Sequence, residues 1–407
     1  MHHIPGPDAS ICYCTNVHAG ATLEETFANL ERYALAVKQR YSPDQPMGVG
    51  LWPSAEAAGE LTANGKLPHL RDWLGEHGLR VFTLNGFPHG NFHARAVKHR
   101  VYEPDWRDPE RLRYTKDLVA ILAELLPEEG EGSISTLPVG WGTLRDEPGS
   151  EAVAGRHLLE LMHHLARVEL DTGKLIHIDL EPEPGCVIGR SDEAVGFFER
   201  HLLGHLDDLS VRAYLRICHD ICHAAVMFED PAEAVVRYRK AGISIGKVQV
   251  SSAVRVDFDS LTEEEQREAL AQLHRFCEDR YLHQTTIRDG AGEIAFYDDL
   301  PQALAARGDQ PPRGEWRVHF HVPIYLEGFG QIGTTQSDLL RCLRAIEPED
   351  RIHHYEVETY AWNVLPEPLQ PGNLAQGIAD EMAWLREAGR WARRPVRNSP
   401  PGSTSPG

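Results

Sequence analysis

Short apolar runs of strand length recur along the chain, most of them followed by a longer segment of helical period. The runs are Ile11–Asn16, Met47–Trp52, Leu79–Asn85, Ser133–Val139, Leu175–Leu180, Leu215–His219, Lys247–Ser251, Val318–Leu326 and His354–Trp362. Between Leu23 and Gln39 the apolar residues Leu23, Phe27, Leu30, Ala34 and Val37 share one helical face. Leu112–Leu126, Ala154–Glu169, Glu193–Leu206, Pro231–Ala241, Thr262–Arg280 and Leu374–Ala388 read the same way. Alternating strands and helices mean βαβ units and a parallel sheet. Continuously apolar strands fit a sheet covered on both faces.

About eight such units predict an α/β fold, a (β/α)8 TIM barrel. A doubly wound open sheet is the alternative, but the first strand is followed by Val17-His18-Ala19-Gly20, not by a phosphate-cradling glycine loop. Nine strand candidates are one too many for a barrel. The polar, Gly- and Pro-rich stretch Arg288–Gly314 marks an insertion between strands seven and eight that supplies the extra one. The reading is one barrel over residues 10–390, followed by a Pro/Ser/Gly-rich tail, 394–407, expected to be disordered.

In a barrel the chemistry sits at the C-terminal ends of the strands. Those ends carry potential ligands and acids here: Asn16 and His18 on strand one, Asn85 and His89 on strand three, Glu181 and Glu183 on strand five. Strand six ends in His219, Asp220 and His223, strand seven carries Gln249, the surplus run His319 and His321, and the last strand Glu356 and Glu358. Carboxylate, imidazole and amide oxygen form the ligand set of Zn²⁺, Mn²⁺ or Mg²⁺. Clustered carboxylates without a cation would raise each other's pKa. Asp220 and His223 can face one point if the chain turns between them; alternatively Asp220 caps the helix that follows. Pro182 and Pro184 hold Glu181 and Glu183 on a rigid extension of strand five. Glu181, nearest the strand end, is the preferred ligand, and Glu183, of the same parity, can substitute. Aromatic residues near the strand ends, Trp52, Phe87 and Tyr360 among them, are core packing or a wall that stacks on a ligand.

The chain of 407 residues carries 41 Lys+Arg against 61 Asp+Glu, a net charge of −20. That balance and the lack of a Lys/Arg stripe argue against nucleic acid as a partner. Seven cysteines without a Cys-x-x-Cys pair argue for a reducing, cytoplasmic setting. Cys218 and Cys222 read as packing neighbours of the site. No secretory leader and no run of about 18 apolar residues is seen.

Glu on strand five, Asp-x-x-His on strand six, His or Gln on strand seven and Glu on the last strand resemble the xylose isomerase-like TIM-barrel superfamily. Within it, the strings Tyr13–His18, Gly50–Trp52, Leu84–Pro88, His177–Gly185, His321–Ile324 and Val357–Pro366 are similar to the EboE family of the bacterial Ebo cluster. The resemblance covers residues 10 to 390. It implies a divalent metal (Mn, Mg or Zn) held by Glu181, Asp220, Gln249 and Glu358, with His321 or His223 as alternatives where relatives carry histidine on strand seven. It implies a metal-dependent isomerase or epimerase in which Glu181, Glu358 and His223 are catalytic. His18, Trp52, Asn85, His89 and His321 would bind a polyol, sugar-like or hydroxy-ketone substrate. It also implies a role in metabolite traffic, in the export of a secondary-metabolite precursor, alongside other proteins of the same gene cluster. A non-catalytic metabolite carrier and an endonuclease IV-like zinc phosphodiesterase are the alternatives.

Overall fold

The computed structural model describes residues 10–63, 65–204, 208–346, 350–360, 362, 365–367, 370 and 372–391. The tail expected over 394–407 lies outside them. Seven strands come first: β1 Ser10–Tyr13, β2 Met47–Leu51, β3 Leu79–Asn85, β4 Glu131–Thr136, β5 Leu175–Leu180, β6 Leu215–Asp220 and β7 Ile245–Val250. Six more follow before the barrel resumes: β8 Val254–Asp257, β9 Thr285–Arg288, β10 Ile294–Tyr297, β11 Glu315–Val318, β12 Gly328–Phe329 and β13 Ile332–Thr334. The last strand is β14, His354–Val357.

Eight strands form a parallel sheet in the order β1-β14-β7-β6-β5-β4-β3-β2. A parallel bridge between Cys14 and Gly50 joins its two ends, so the sheet is a nearly closed (β/α)8 barrel and not an open one. The outward residues Ile176, Ile178, Leu180, Val248, Val250, Tyr355 and Val357 are buried under the helices. The inward residues are unusually polar. Strand parity places His177, Asp179 and Glu181 on one face of β5 and its extension, Lys247 and Gln249 on β7, and His354, Glu356 and Glu358 on β14 and its extension.

The insertion between the seventh and eighth barrel strands is larger than the Arg288–Gly314 stretch suggests. It builds an antiparallel sheet in the order β10-β9-β11-β8-β13-β12. The run Val318–Leu326 is a strand only at Val318, the last residue of β11. Beyond it, Pro323 has no N–H to give a ladder, and the segment is pinned singly: His319 N to Gln284 O at 2.8 Å and Val322 N to Ser252 O at 3.0 Å. Between β2 and β3, where the pattern marks no helix, two occur, Ala55–Ala63 and Leu67–Glu76. The helix expected over Glu193–Leu206 runs instead through Ser191–Phe197 and a wider turn at Phe198–Leu202. That expected over Thr262–Arg280 stops its regular turns at Leu273, started by a Thr262/Glu265 capping box.

Candidate metal centre

Three carboxylates meet at the C-terminal mouth. Glu181, Asp220 and Glu358 are all buried and each offers an oxygen within 4.8 Å of the others. Each is held differently. Glu181 follows β5 directly, its N–H bonded to Thr136 O at 3.0 Å, and the prolines carry the chain onward without a helix. Asp220 ends β6 and begins the helix Ile221–Val226. Its Oδ1 accepts from the His223 backbone N–H at 2.9 Å and from Ser251 Oγ at 2.8 Å. Both readings of Asp220 therefore hold, because one oxygen caps the helix and the other, Oδ2, is left to the site. Glu358 Oε1 accepts from Asn16 Nδ2 at 2.7 Å and Asn85 Nδ2 at 3.1 Å, which fixes its carboxylate from β1 and β3.

Gln249 lies one strand over, in register with Asp220 on one side and Glu356 on the other. It is fully buried. Neither of its amide atoms, nor Glu181 Oε2, nor Asp220 Oδ2, has a hydrogen-bond partner among the described residues. Buried polar atoms are almost always paired, so the unpaired oxygens of Glu181 and Asp220 beside Glu358 could hold a ligand. Burial, then the charges of Glu358 and Asp220, push the Glu181 carboxyl well above its ordinary value. Burial, then Asp220 and Glu356, raise Glu358 as well.

A histidine group flanks the carboxylates. His223 Nδ1 lies 2.9 Å from Pro182 O, and its Nε2 lies 3.1 Å from Glu183 Oε2 and 3.9 Å from Asp220 Oδ2. Burial favours a neutral His223, but Asp220, Glu183 and Glu358 together outweigh it and raise its pKa. His321 Nε2 is also 3.9 Å from Asp220 Oδ2. Burial brings His321 down to about 4 and holds His319 well below the usual imidazole range.

A cavity half open to solvent lies above this floor. Asn16, Asn85, Glu181, Glu183, His223, His319, His321 and Glu358 form its polar side, and Phe87, Phe92, Tyr102, Tyr281, Leu282 and Tyr360 its apolar side. Asp220 and Gln249 do not line it. Three residues expected at the substrate lie outside the lining. His18 stacks on Tyr33 at 4.4 Å and bonds Tyr13 Oη at 3.1 Å, because the turn Thr15–Val17 carries it outward from Asn16. His89 faces the outer helix Pro109–Leu125, 3.5 Å from Glu110. Trp52 donates its indole N–H to Pro88 O at 2.9 Å and supports the loop that carries Phe92. Tyr102 and Gln284 were not expected. Both donate to Glu183 Oε1, at 2.9 and 2.7 Å, and fix Glu183 against the wall. The signal for Gln284 is a His-Gln pair directly before the β-branched start of β9, Thr285-Thr286-Ile287.

Residues fitting a divalent ion are therefore present: acid oxygens, an amide and imidazole, with the surplus negative charge buried. No protein-family model matches the chain, and no curated protein matches it. Solved structures do. L-ribulose 3-epimerase matches 96% of this chain and 100% of its own length at 13% identity, with a TM-score of 0.50. A xylose isomerase-like TIM barrel protein from Mycobacterium smegmatis, in complex with magnesium, matches 94% of this chain and 97% of its own at 11% identity, with a TM-score of 0.52. At such identities the likeness establishes the fold, and the chain has that of the xylose isomerase-like (β/α)8 barrels.

Proposed function

We propose that this chain is a divalent-metal-dependent isomerase or epimerase acting on a polyol, sugar-like or hydroxy-ketone metabolite. The observation that carries the reading is the buried Glu181–Asp220–Glu358 cluster with its unpaired oxygens, two of whose carboxylates, Glu181 and Glu358, line a half-open cavity. Glu181, Asp220 and Glu358, with Gln249, would hold the ion. When bound it supplies Lewis-acid polarisation of two substrate oxygens. Glu181 would take a proton from a substrate carbon at Oε2, its unpaired oxygen. Glu358, oriented by Asn16 and Asn85, would return a proton from the other side. His223, its Nδ1 tied to Pro182 O, presents Nε2 towards the cavity's polar side and would bind a substrate hydroxyl. Phe92, Tyr281 and Leu282 line the cavity's apolar side.

The magnesium and the epimerase chemistry of the two fold relatives support this reading. The strings that resemble those of EboE proteins support a narrower one, in which the substrate is a secondary-metabolite precursor handled by the Ebo pathway with other products of that cluster, in the cytoplasm. Incubating the metal-loaded protein with a panel of hydroxy-ketones and ketoses in D₂O tests the chemistry. Deuterium should enter at the carbon beside the carbonyl with wild type and not with Glu181→Gln or Glu358→Gln. Binding of a panel member without exchange would make the chain a carrier and not an enzyme.

A further inference from the structure

Two groups of rings make the apolar side of the cavity. Phe92, Tyr281 and Tyr360 pack in a triangle, with ring centres 4.8, 5.2 and 5.4 Å apart. Phe87 meets Tyr102 edge-on at 6.0 Å. All five line the cavity. They come from three separate stretches: the long connection between β3 and the helix Pro109–Leu125, the insertion, and the residues after β14.

The polar groups of Tyr102 and Lys98 among these rings are already engaged. Tyr102 Oη donates to Glu183 Oε1 at 2.9 Å and accepts from Gln284 Nε2 at 2.8 Å. Lys98 is the one Lys or Arg that lines the cavity among the described residues. Its ammonium group is bound to Asp299 Oδ2 at 2.7 Å and to Glu278 O at 3.2 Å. The polar side holds the carboxylates of Glu181, Glu183 and Glu358.

This lining selects among hydroxylated compounds. A sugar carries hydroxyls along its whole length, and those set against the rings would give up water without a replacement partner. A phosphorylated sugar needs a cation for its phosphate. Here it would meet three carboxylates and a lysine already paired, and like charge brought together repels. An aromatic substituent loses nothing polar on entry. It gains edge-on and tilted contacts of the kind these five rings already make with one another.

We propose that the cavity takes an uncharged hydroxy-ketone that carries an aromatic ring, its oxygens towards Glu181 and Glu358 and its ring against Phe92 and Tyr281. This rests on the hydroxy-ketone reading above and narrows it. Phe92 and Tyr281 are then the residues that set specificity, one from each wall of the mouth.

The test uses the full chain loaded with Mg²⁺ and three probes: 2-hydroxyacetophenone, dihydroxyacetone and D-fructose 6-phosphate. The first two share the hydroxy-ketone head and differ in the ring. Calorimetry should show 2-hydroxyacetophenone bound at least about tenfold more tightly than dihydroxyacetone, with no saturable binding of the phosphate. Phe92→Leu and Tyr281→Leu should each cut that preference at least about threefold and leave the dihydroxyacetone affinity within about twofold of wild type. Melting curves within a few degrees of wild type establish that the variants fold; if one does not, the other carries the test. Equal or reversed preference, tightest binding of the phosphate, no binding of 2-hydroxyacetophenone, or a preference unmoved in the folded variants overturns the proposal. Deuterium uptake from D₂O separates it from the reading it rests on. Ring preference without exchange of any probe overturns the isomerase and leaves the ring-binding cavity standing. Exchange of dihydroxyacetone without ring preference keeps the isomerase and overturns this proposal.

Discussion

Lys247 Nζ lies 2.6 Å from Glu356 Oε2 inside the barrel, and both side chains are closed to solvent. The pair joins the neighbouring strands β7 and β14. Removing one partner of a buried pair leaves an uncompensated charge and costs about 3–5 kcal/mol. Lys247→Met should therefore lower unfolding stability by about that amount in urea. Lys247→Met/Glu356→Leu should recover most of it, since the desolvated charge is then gone.

The same glutamate dictates a glycine on β2. A Cβ built on Gly50 would lie 1.4 Å from Glu356 Oε1. That carboxylate cannot swing aside freely, because Lys247 holds its other oxygen. Overpacking in a tight interior costs about 1–3 kcal/mol. Gly50→Ala should lose at least that much, read as a lower denaturation midpoint with an unchanged slope.

Glu381 offers a pH dependence away from the carboxylate centre. Its Oε1 accepts from Ile324 N–H at 3.0 Å and from Thr359 Oγ1 at 2.7 Å. Burial pushes it from 4.5 up to about 8. A folded-state pKa above the unfolded one means stability fully present below about 4.5 and lost as pH rises through about 8. Wild type should lose a few kcal/mol across that window, since each tenfold change in proton affinity is worth about 1.4 kcal/mol. Glu381→Gln keeps the acceptor oxygen and should flatten the curve, measured as denaturation midpoint against pH.

Chelation should expose the carboxylate cluster. Glu181 and Glu358 are both raised above an ordinary 4.5. In stripped protein their contribution is present below that value and fades as pH rises through the raised ones. Stripped protein should accordingly melt lower at pH 8 than at pH 5. Glu181→Gln/Glu358→Gln should lack that slope. Added Mn²⁺ or Mg²⁺ should restore wild type most at high pH, where its ligands are ionised.

The barrel and its carboxylates were legible because each has a local signature. Apolar runs gave the strands; Glu181 and Asp220 each follow directly on such a run, and Glu358 sits within the last one. The pairing of Lys247 with Glu356 was hidden for the opposite reason. A charge inside an apolar run says nothing about its partner, which here stands 109 positions away. The run Val318–Leu326 looked like a strand by composition, but its bonds are made one at a time to Gln284 and Ser252. Those partners come from distant stretches, so no window of sequence contains them. Tyr102 was missed likewise, because it reaches Glu183 from the end of a short 3-10 turn, Lys98–Tyr102, in a distant stretch of the chain.

The inserted segment is stitched to β7's exit at both of its returns, Val322 N to Ser252 O and Thr335 N to Ala253 O, each at 3.0 Å. It leaves and re-enters the barrel at one place and brings His319, His321 and Gln284 with it. The barrel can thus be viewed as a socket and the insertion as a cartridge. Exchanging that cartridge between related chains would transplant His319, His321 and Gln284 as a unit and leave the acid triad untouched.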